Sequence, residues 1–278
     1  MLKKIKVTKQ ITCREVVYMT TPNDIRKHVL KMVFKAGAAH VGTCFSVVEI
    51  LHTLYFKVLK IDPEIPDWKE RDRFILSKGH GSAALYATLA ERGFFSKTLL
   101  ERFYMDDGSL PGNIDQTVVP GIDASSGSLG IGLSLGIGMS IGLKKDNINS
   151  KVYVVLGDGE CQEGAVWEAI MYAGSNKLDN LVAIIDNNKL QSSNYTNDVI
   201  NQNNIAERWR SFGWETFEVD GHNQEELEKV LNLPQKQPKV IIAHTLKGKG
   251  VSFMENNVAW HYGSPSQLEY VKAMRELR

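Results

Sequence analysis

The chain has 278 residues, of which 43% are hydrophobic and 23% charged, the balance of an ordinary globular protein. Lys plus Arg number 33 against 32 Asp plus Glu, a formal net charge of +1, which argues against a nucleic-acid partner and against an acidic tail. No apolar run approaches the roughly 18 residues of a membrane span, the basic start MLKKIKVTKQITCREVVYM lacks the apolar segment of a secretion signal, and the scattered cysteines Cys13, Cys44 and Cys161 have neither metal nor disulfide spacing, so a cytoplasmic protein with no membrane partner is expected.

Residues 1–20 read as an arm and 21–278 as one α/β domain. Thr21-Pro22-Asn23-Asp24 supplies a helix start with Pro in the first turn. Ile25, Val29, Leu30, Met32 and Val33 then recur at helical spacing up to Gly37. Ser46 to Leu59 reads as a second, more buried helix, and Pro63 and Pro66 mark a loop. A short strand, Arg73–Leu76, ends at Ser77-Lys78-Gly79-His80. Strands are expected over Lys151–Leu156, Asn180–Asp186, Trp214–Val219 and Lys239–His244. Helices are expected over Gly164–Lys177, Ile205–Phe212, Gln224–Leu231 and Ser266–Leu277. Unbroken apolar strands alternating with helices predict a mainly parallel sheet covered on both faces.

In such a sheet, ligands bind at the carboxyl ends of the strands. There stand Gly157-Asp158-Gly159-Glu160 and Asn187-Asn188-Lys189-Leu190, on strands that flank one helix. Asp158 and Asn188 should therefore be neighbours in space. A carboxylate and an amide oxygen are hard ligands, suited to Mg²⁺ or Ca²⁺ and poor for zinc. Gly157 and Gly159 let a ligand approach the backbone, and the N-terminus of the next helix favours an anion. A cation with two protein oxygens beside a helix start describes a diphosphate site. Gly157-Asp158-Gly159 alone could equally be a turn; Asn188 at the next strand end favours the site.

These motifs resemble the thiamine-diphosphate signature, and the chain as a whole resembles the N-terminal half of transketolases. The similar segments, in family order, are AGAAHVGTCFSVVEIL (36–51), DRFILSKGHGSAALYA (72–87), PGIDASSGSLGIGLSLGIGM (120–139), GDGECQEGAVWEA (157–169), NLVAIIDNNKLQ (180–191) and KGKGVSFMENNVAWHYGSP (247–265). The resemblance implies a thiamine-diphosphate-binding fold with Asp158, Asn188 and the Leu190 carbonyl as metal ligands. It implies active-site roles for His40, His80 and His261 beside the diphosphate and the donor sugar. Gly127, Ser128 and Leu129 match the segment that meets the aminopyrimidine ring. Glu163 matches a buried carboxylate that communicates with an activating glutamate across a subunit interface. Histidines suit ketol transfer on their own chemistry, because protons must move as carbonyls and alcohols interconvert. By contrast His28 and His52 fall within helices and His222 in a turn.

The resemblance ends where the family's cofactor-binding half ends, which implies a separately encoded C-terminal subunit that supplies the activating glutamate, in an assembly of two copies of each. The expected function is transfer of a two-carbon ketol unit between small molecules, from a ketose donor to an aldehyde. After Leu110-Pro111-Gly112 the family has a histidine that touches the donor, whereas this chain has Asn113, and Tyr262 stands where glycine usually follows the last histidine. An altered donor is expected. The alternatives are an acyl or acyloin transferase using an α-keto acid, the α subunit of an oxo-acid dehydrogenase, and a non-catalytic cofactor-binding module. Gly136-Ile137-Gly138 and Gly142 could pass for a dinucleotide fingerprint, but no strand precedes them and tight helix packing at a subunit contact explains them better. Lys78, Lys247 and Lys249 are weighed more as surface charge than as diphosphate contacts, and Cys161 as incidental.

Overall fold

The computed structural model describes residues 20–106 and 108–278, so the arm expected over 1–20 lies, except for Thr20, outside the described residues. Helix α1 spans Pro22–Ala36 and is set by its caps: Thr21 and Asp24 form a reciprocal capping box, and Gly37 closes the end at φ 60°. It buries Ile25, Val29, Leu30, Met32 and Val33, the face expected from their spacing. The next helix begins earlier than its sequence pattern suggests and is broken. Helix α2 runs Val41–Ser46, α3 runs Val48–Thr53, and a π-helical turn follows over Leu54–Val58. Gly42, Thr43 and Cys44 carry little helical periodicity and are helical because the core surrounds them.

Strands β1 (Arg73–Leu76), β2 (Val152–Gly157), β3 (Leu181–Asn187), β4 (Glu215–Asp220) and β5 (Lys239–His244) form one sheet in the order β1-β2-β3-β5-β4, with every pairing parallel. Strand side chains alternate between two cores. Tyr153, Val155, Val182, Ile184 and Ile241 join the side covered by α1 and the π-helical segment, by α4 (Ser82–Arg92), α8 (Gln224–Leu231) and α9 (Gln267–Glu276). Val152, Val154, Leu181, Ala183 and Ile242 join the side covered by α5 (Gly132–Lys145), α6 (Gly164–Ser175) and α7 (Ile205–Ser211). The unbroken apolar strands thus reflect burial on both faces. Helix α4 has no one-sided apolar stripe for the sequence to show, because Ser82 through Ala90 are all buried. The glycines Gly136, Gly138 and Gly142 lie inside α5, preceded by coil, which is no place for a dinucleotide loop. No helix among the described residues is long and apolar enough to cross a membrane.

Candidate active site

The tips of β2 and β3 pair up to Gly157 and Asp186, which sets Asp158 and Asn188 side by side at the carboxyl edge of the sheet, as their positions predict. Both are buried, at 5% and 4% exposure. Asp158 accepts hydrogen bonds from Gly159 N (2.8 Å), Lys189 N (2.6 Å) and the Thr196 hydroxyl (3.1 Å), and its carbonyl accepts from Gln202 Nε2 (3.1 Å). Burial, with Asp186 nearby, pushes its acid up to about 6. A buried carboxylate held by neutral donors alone is a place that favours a cation. Asn188 Oδ1 accepts from Leu190 N at 3.1 Å. The Leu190 carbonyl turns into the same cleft, where Lys247 Nζ meets it at 2.9 Å. Asp158, Asn188 and Leu190 thus bring a carboxylate, an amide and a carbonyl to one cleft, hard oxygens of the kind that suit Mg²⁺ or Ca²⁺. Among the described residues no cluster of three His, Cys, Asp or Glu competes with it.

The cleft encloses about 460 Å³ and brings together residues that are widely separated in sequence, from His40 to Tyr262. His40, His80 and His261 line it, with ring centroids 5.2, 5.3 and 5.8 Å apart. His40 sits at φ 73°, a strained conformation for a side chain of this size, and its N–H bonds the His261 carbonyl at 2.9 Å. Burial, reinforced by Lys78, holds the His80 imidazolium down to about 2. Burial, reinforced by Lys247, holds that of His261 at about 3. All three rings are thus neutral near pH 7 and can donate at one nitrogen and accept at the other. Tyr262, 65% exposed, caps the group 5.3 Å from His40. Gly127, Leu129, Gly157, Gly159 and Glu160 line the same cleft. Ser128 lines an adjoining groove of about 320 Å³ with Ile131 and Leu135. Asn113 lies in a side pocket of about 90 Å³ that shares His40 and His80 with the main cleft.

Three expectations need correction. Helix α6 does not start at the metal loop. A 3₁₀ turn over Gly159–Gln162 intervenes, and the amides of Gly157 and Gly159 are committed to Glu160 and Asp158. Glu163, expected to be buried, is exposed at the N-cap of α6, so only a second chain laid over that face would bury it. Lys78 and Lys247 are not surface charges: each is 1% exposed and lines the cleft. Lys247 Nζ also contacts His261 Nδ1 at 2.7 Å, and burial with Lys78 nearby lowers it to about 8. Their position in glycine-flanked turns directly after β1 and after β5 is the signal that could have placed them. Asp186 and Thr196 likewise emerge as buried polar groups that only the fold assembles, whereas Glu160, expected at the cofactor from its place in the loop, is buried beside the cleft.

Residues 18–277 match the family model described as "Transketolase, thiamine diphosphate binding domain". The chain is 41% identical over 258 residues to the 6-deoxy-6-sulfo-D-fructose transketolase subunit SqwG of Clostridium sp. (strain MSTE9), covering 92% of this chain and 94% of that one. It is 41% identical over 255 residues to a subunit of the apulose-4-phosphate transketolase of Phocaeicola vulgatus, covering 91% and 90%. Against human transketolase it is 38% identical, covering 88% of this chain but 39% of that one. The crystal structure of transketolase from Campylobacter jejuni superposes with a TM-score of 0.87 at 30% identity, covering 92% of this chain and 42% of that chain. The chain thus spans most of the bacterial subunits and about two fifths of the longer enzymes.

Proposed function

The chain belongs to the transketolase thiamine-diphosphate-binding family, and from that premise we propose that it is the cofactor-anchoring subunit of a two-subunit transketolase. It transfers a two-carbon ketol unit from a ketose to an aldehyde together with a C-terminal subunit. Two relatives that match over nine tenths of their length are themselves named transketolase subunits, which supports a separate partner. That partner supplies the glutamate that activates the cofactor, in an assembly of two copies of each chain. The observation that carries this reading is the convergence of Asp158, Asn188 and three neutral histidines on one cleft.

In this reading Asp158, Asn188 and the Leu190 carbonyl hold Mg²⁺ or Ca²⁺, and through it the diphosphate. Bound thiamine diphosphate supplies the nucleophilic carbon that carries the ketol unit. Gly157 and Gly159 admit the phosphates close to the backbone, and Lys247 offsets their charge. Glu160 braces the loop by taking Gly157 N and Gly130 N. The Gly127-Ser128-Leu129 backbone meets the aminopyrimidine ring, and Glu163 joins the partner's glutamate at the interface. His40, His80 and His261 pass protons to and from substrate oxygens. The donor is a modified ketose. Two relatives act, by name, on 6-deoxy-6-sulfo-D-fructose and on apulose 4-phosphate, and Asn113, beside His40 and His80, stands where the family has a histidine that touches the donor.

The reconstituted pair of subunits should transfer a ketol unit only with thiamine diphosphate and a divalent cation, and chelation should abolish it. Asp158→Ala should remove both activity and cation-dependent cofactor binding while the circular dichroism spectrum is unchanged. Full cofactor affinity in that variant would refute the assignment.

A further inference from the structure

Beneath the cleft, one fully buried carboxylate gathers more side-chain hydrogen bonds than any of the proposed cation ligands. Asp186, at 0% exposure near the tip of β3, accepts from the Ser46 hydroxyl (2.6 Å), the Thr245 hydroxyl, the Lys78 ammonium and Asn188 Nδ2 (3.1 Å). These donors come from the end of α2, the residue after β5, the tip of β1 and the loop after β3. The Lys78–Asp186 pair is a buried salt bridge, with both side chains at most 1% exposed. Such a pair is a weak device for stability, because apolar residues of similar volume often serve as well. Its contact with Asn188 gives it a different use.

An asparagine amide has a donor end and an acceptor end, and only the oxygen can ligate a cation. A carboxylate offers acceptors alone. With Asp186 ionised beneath it, Asn188 must turn its nitrogen down, and Oδ1 is the end left for the cleft. Turning the amide round would set two oxygens against each other below and a nitrogen toward the cation above. We propose that Asp186 is a positioning residue: held by Lys78, Ser46 and Thr245, it takes the nitrogen end of the Asn188 amide and, with the Leu190 N–H on Oδ1, sets which end meets the divalent cation. The inference rests on the reading of Asp158, Asn188 and Leu190 as cation ligands.

The test uses the complex of this chain with its C-terminal subunit. Thiamine diphosphate binding is followed by calorimetry while Mg²⁺, and separately Ca²⁺, is titrated. Asp186→Asn replaces a partner that only accepts by one that also donates, so only the Leu190 N–H bond to Oδ1 still favours the native orientation of the Asn188 amide. The variant should raise the Mg²⁺ concentration for half-maximal binding by about 10–100-fold. The shift for Ca²⁺ should be clearly smaller, because Ca²⁺ tolerates irregular geometry and Mg²⁺ demands a near-ideal octahedron. Equal shifts for both cations, or none, would overturn the proposal. Because Asp186→Asn leaves Lys78 buried without its partner, the double variant Lys78→Met/Asp186→Asn is compared with Lys78→Met, and the same split between cations is expected. A wild-type complex that binds cofactor without any cation would instead remove the ligand assignment, and this inference with it.

Discussion

Asn113 stands where the resemblance leads one to expect a histidine, and its position gives the difference a consequence. It shares a pocket with His40 and His80, and its carbonyl accepts from the Tyr86 hydroxyl at 3.2 Å, so the backbone there is fixed and the side chain is the variable part. Asn113→His should shift donor preference toward unmodified ketose phosphates, read as a change in the ratio of kcat/KM values; an unchanged ratio would refute a specificity role. A second residue-scale prediction concerns Glu49, which pairs bidentately with Arg26 at 2.7 Å and meets His222 Nδ1 at 2.8 Å. Burial pushes its acid up, but the His222 and Arg26 hydrogen bonds prevail and hold it at about 2 against an ordinary 4.5. Because the folded state lowers this value, the stabilisation is complete above about pH 4.5 and is lost as pH falls toward 2. The difference is worth about 3 kcal/mol. Urea unfolding should show Glu49→Gln several kcal/mol less stable than wild type at pH 7, with the gap narrowing below pH 4.5; a gap independent of pH would count against the ion pair.

At the scale of elements, α5 shows how glycines in one helix do different work. A Cβ on Gly136 would stand 2.5 Å from Val154 Cγ2, so this glycine lets α5 sit directly on β2. Gly136→Ala should cost about 1–3 kcal/mol in urea unfolding of the chain. Gly138 and Gly142 have nothing within 4 Å of a built Cβ. Alanine at either should leave the isolated chain as stable or up to about 1 kcal/mol more so. Ile131 at the N-cap of α5 and Leu135 within it are 46% and 39% exposed, and neighbouring α6 presents Met171 and Tyr172 at 52% and 48%. If this apolar side is a subunit contact, Gly138→Ala should weaken assembly without weakening the fold. Sedimentation of the subunit mixture separates the two effects; unchanged assembly would place the contact elsewhere.

For the whole molecule, the parallel sheet does two things at once. Its two cores make a rigid platform, and its carboxyl edge collects loops that are distant in sequence into one cleft. The contributing segments begin near His40 and end near Tyr262, so nearly the full length of the chain is needed to build the site. The proposed assembly should sediment as two copies of each chain when the C-terminal subunit is added. A complex holding a single copy of this chain would refute the proposed stoichiometry.

The amino-acid sequence by itself determined the strands, most helices and the signature pair Asp158 and Asn188, because apolar runs, caps and strand-end polar residues are local signals. Arg73–Leu76, Gln224–Leu231 and Lys239–His244 have the bounds their patterns imply. Helix α4 and the start of α2 were not legible, since an element buried all round has no polar face to give it a period. Nor were the states of Lys78, Lys247 and Asp186. A lysine beside glycine reads as solvated until the fold shows what closes over it. Only the tertiary structure decided that these charges are buried and that three histidines from separate loops lie within 6 Å of one another ring to ring. Burial and long-range neighbours are properties of the packed chain, and they, more than residue type, set the charge and orientation of the groups in the cleft.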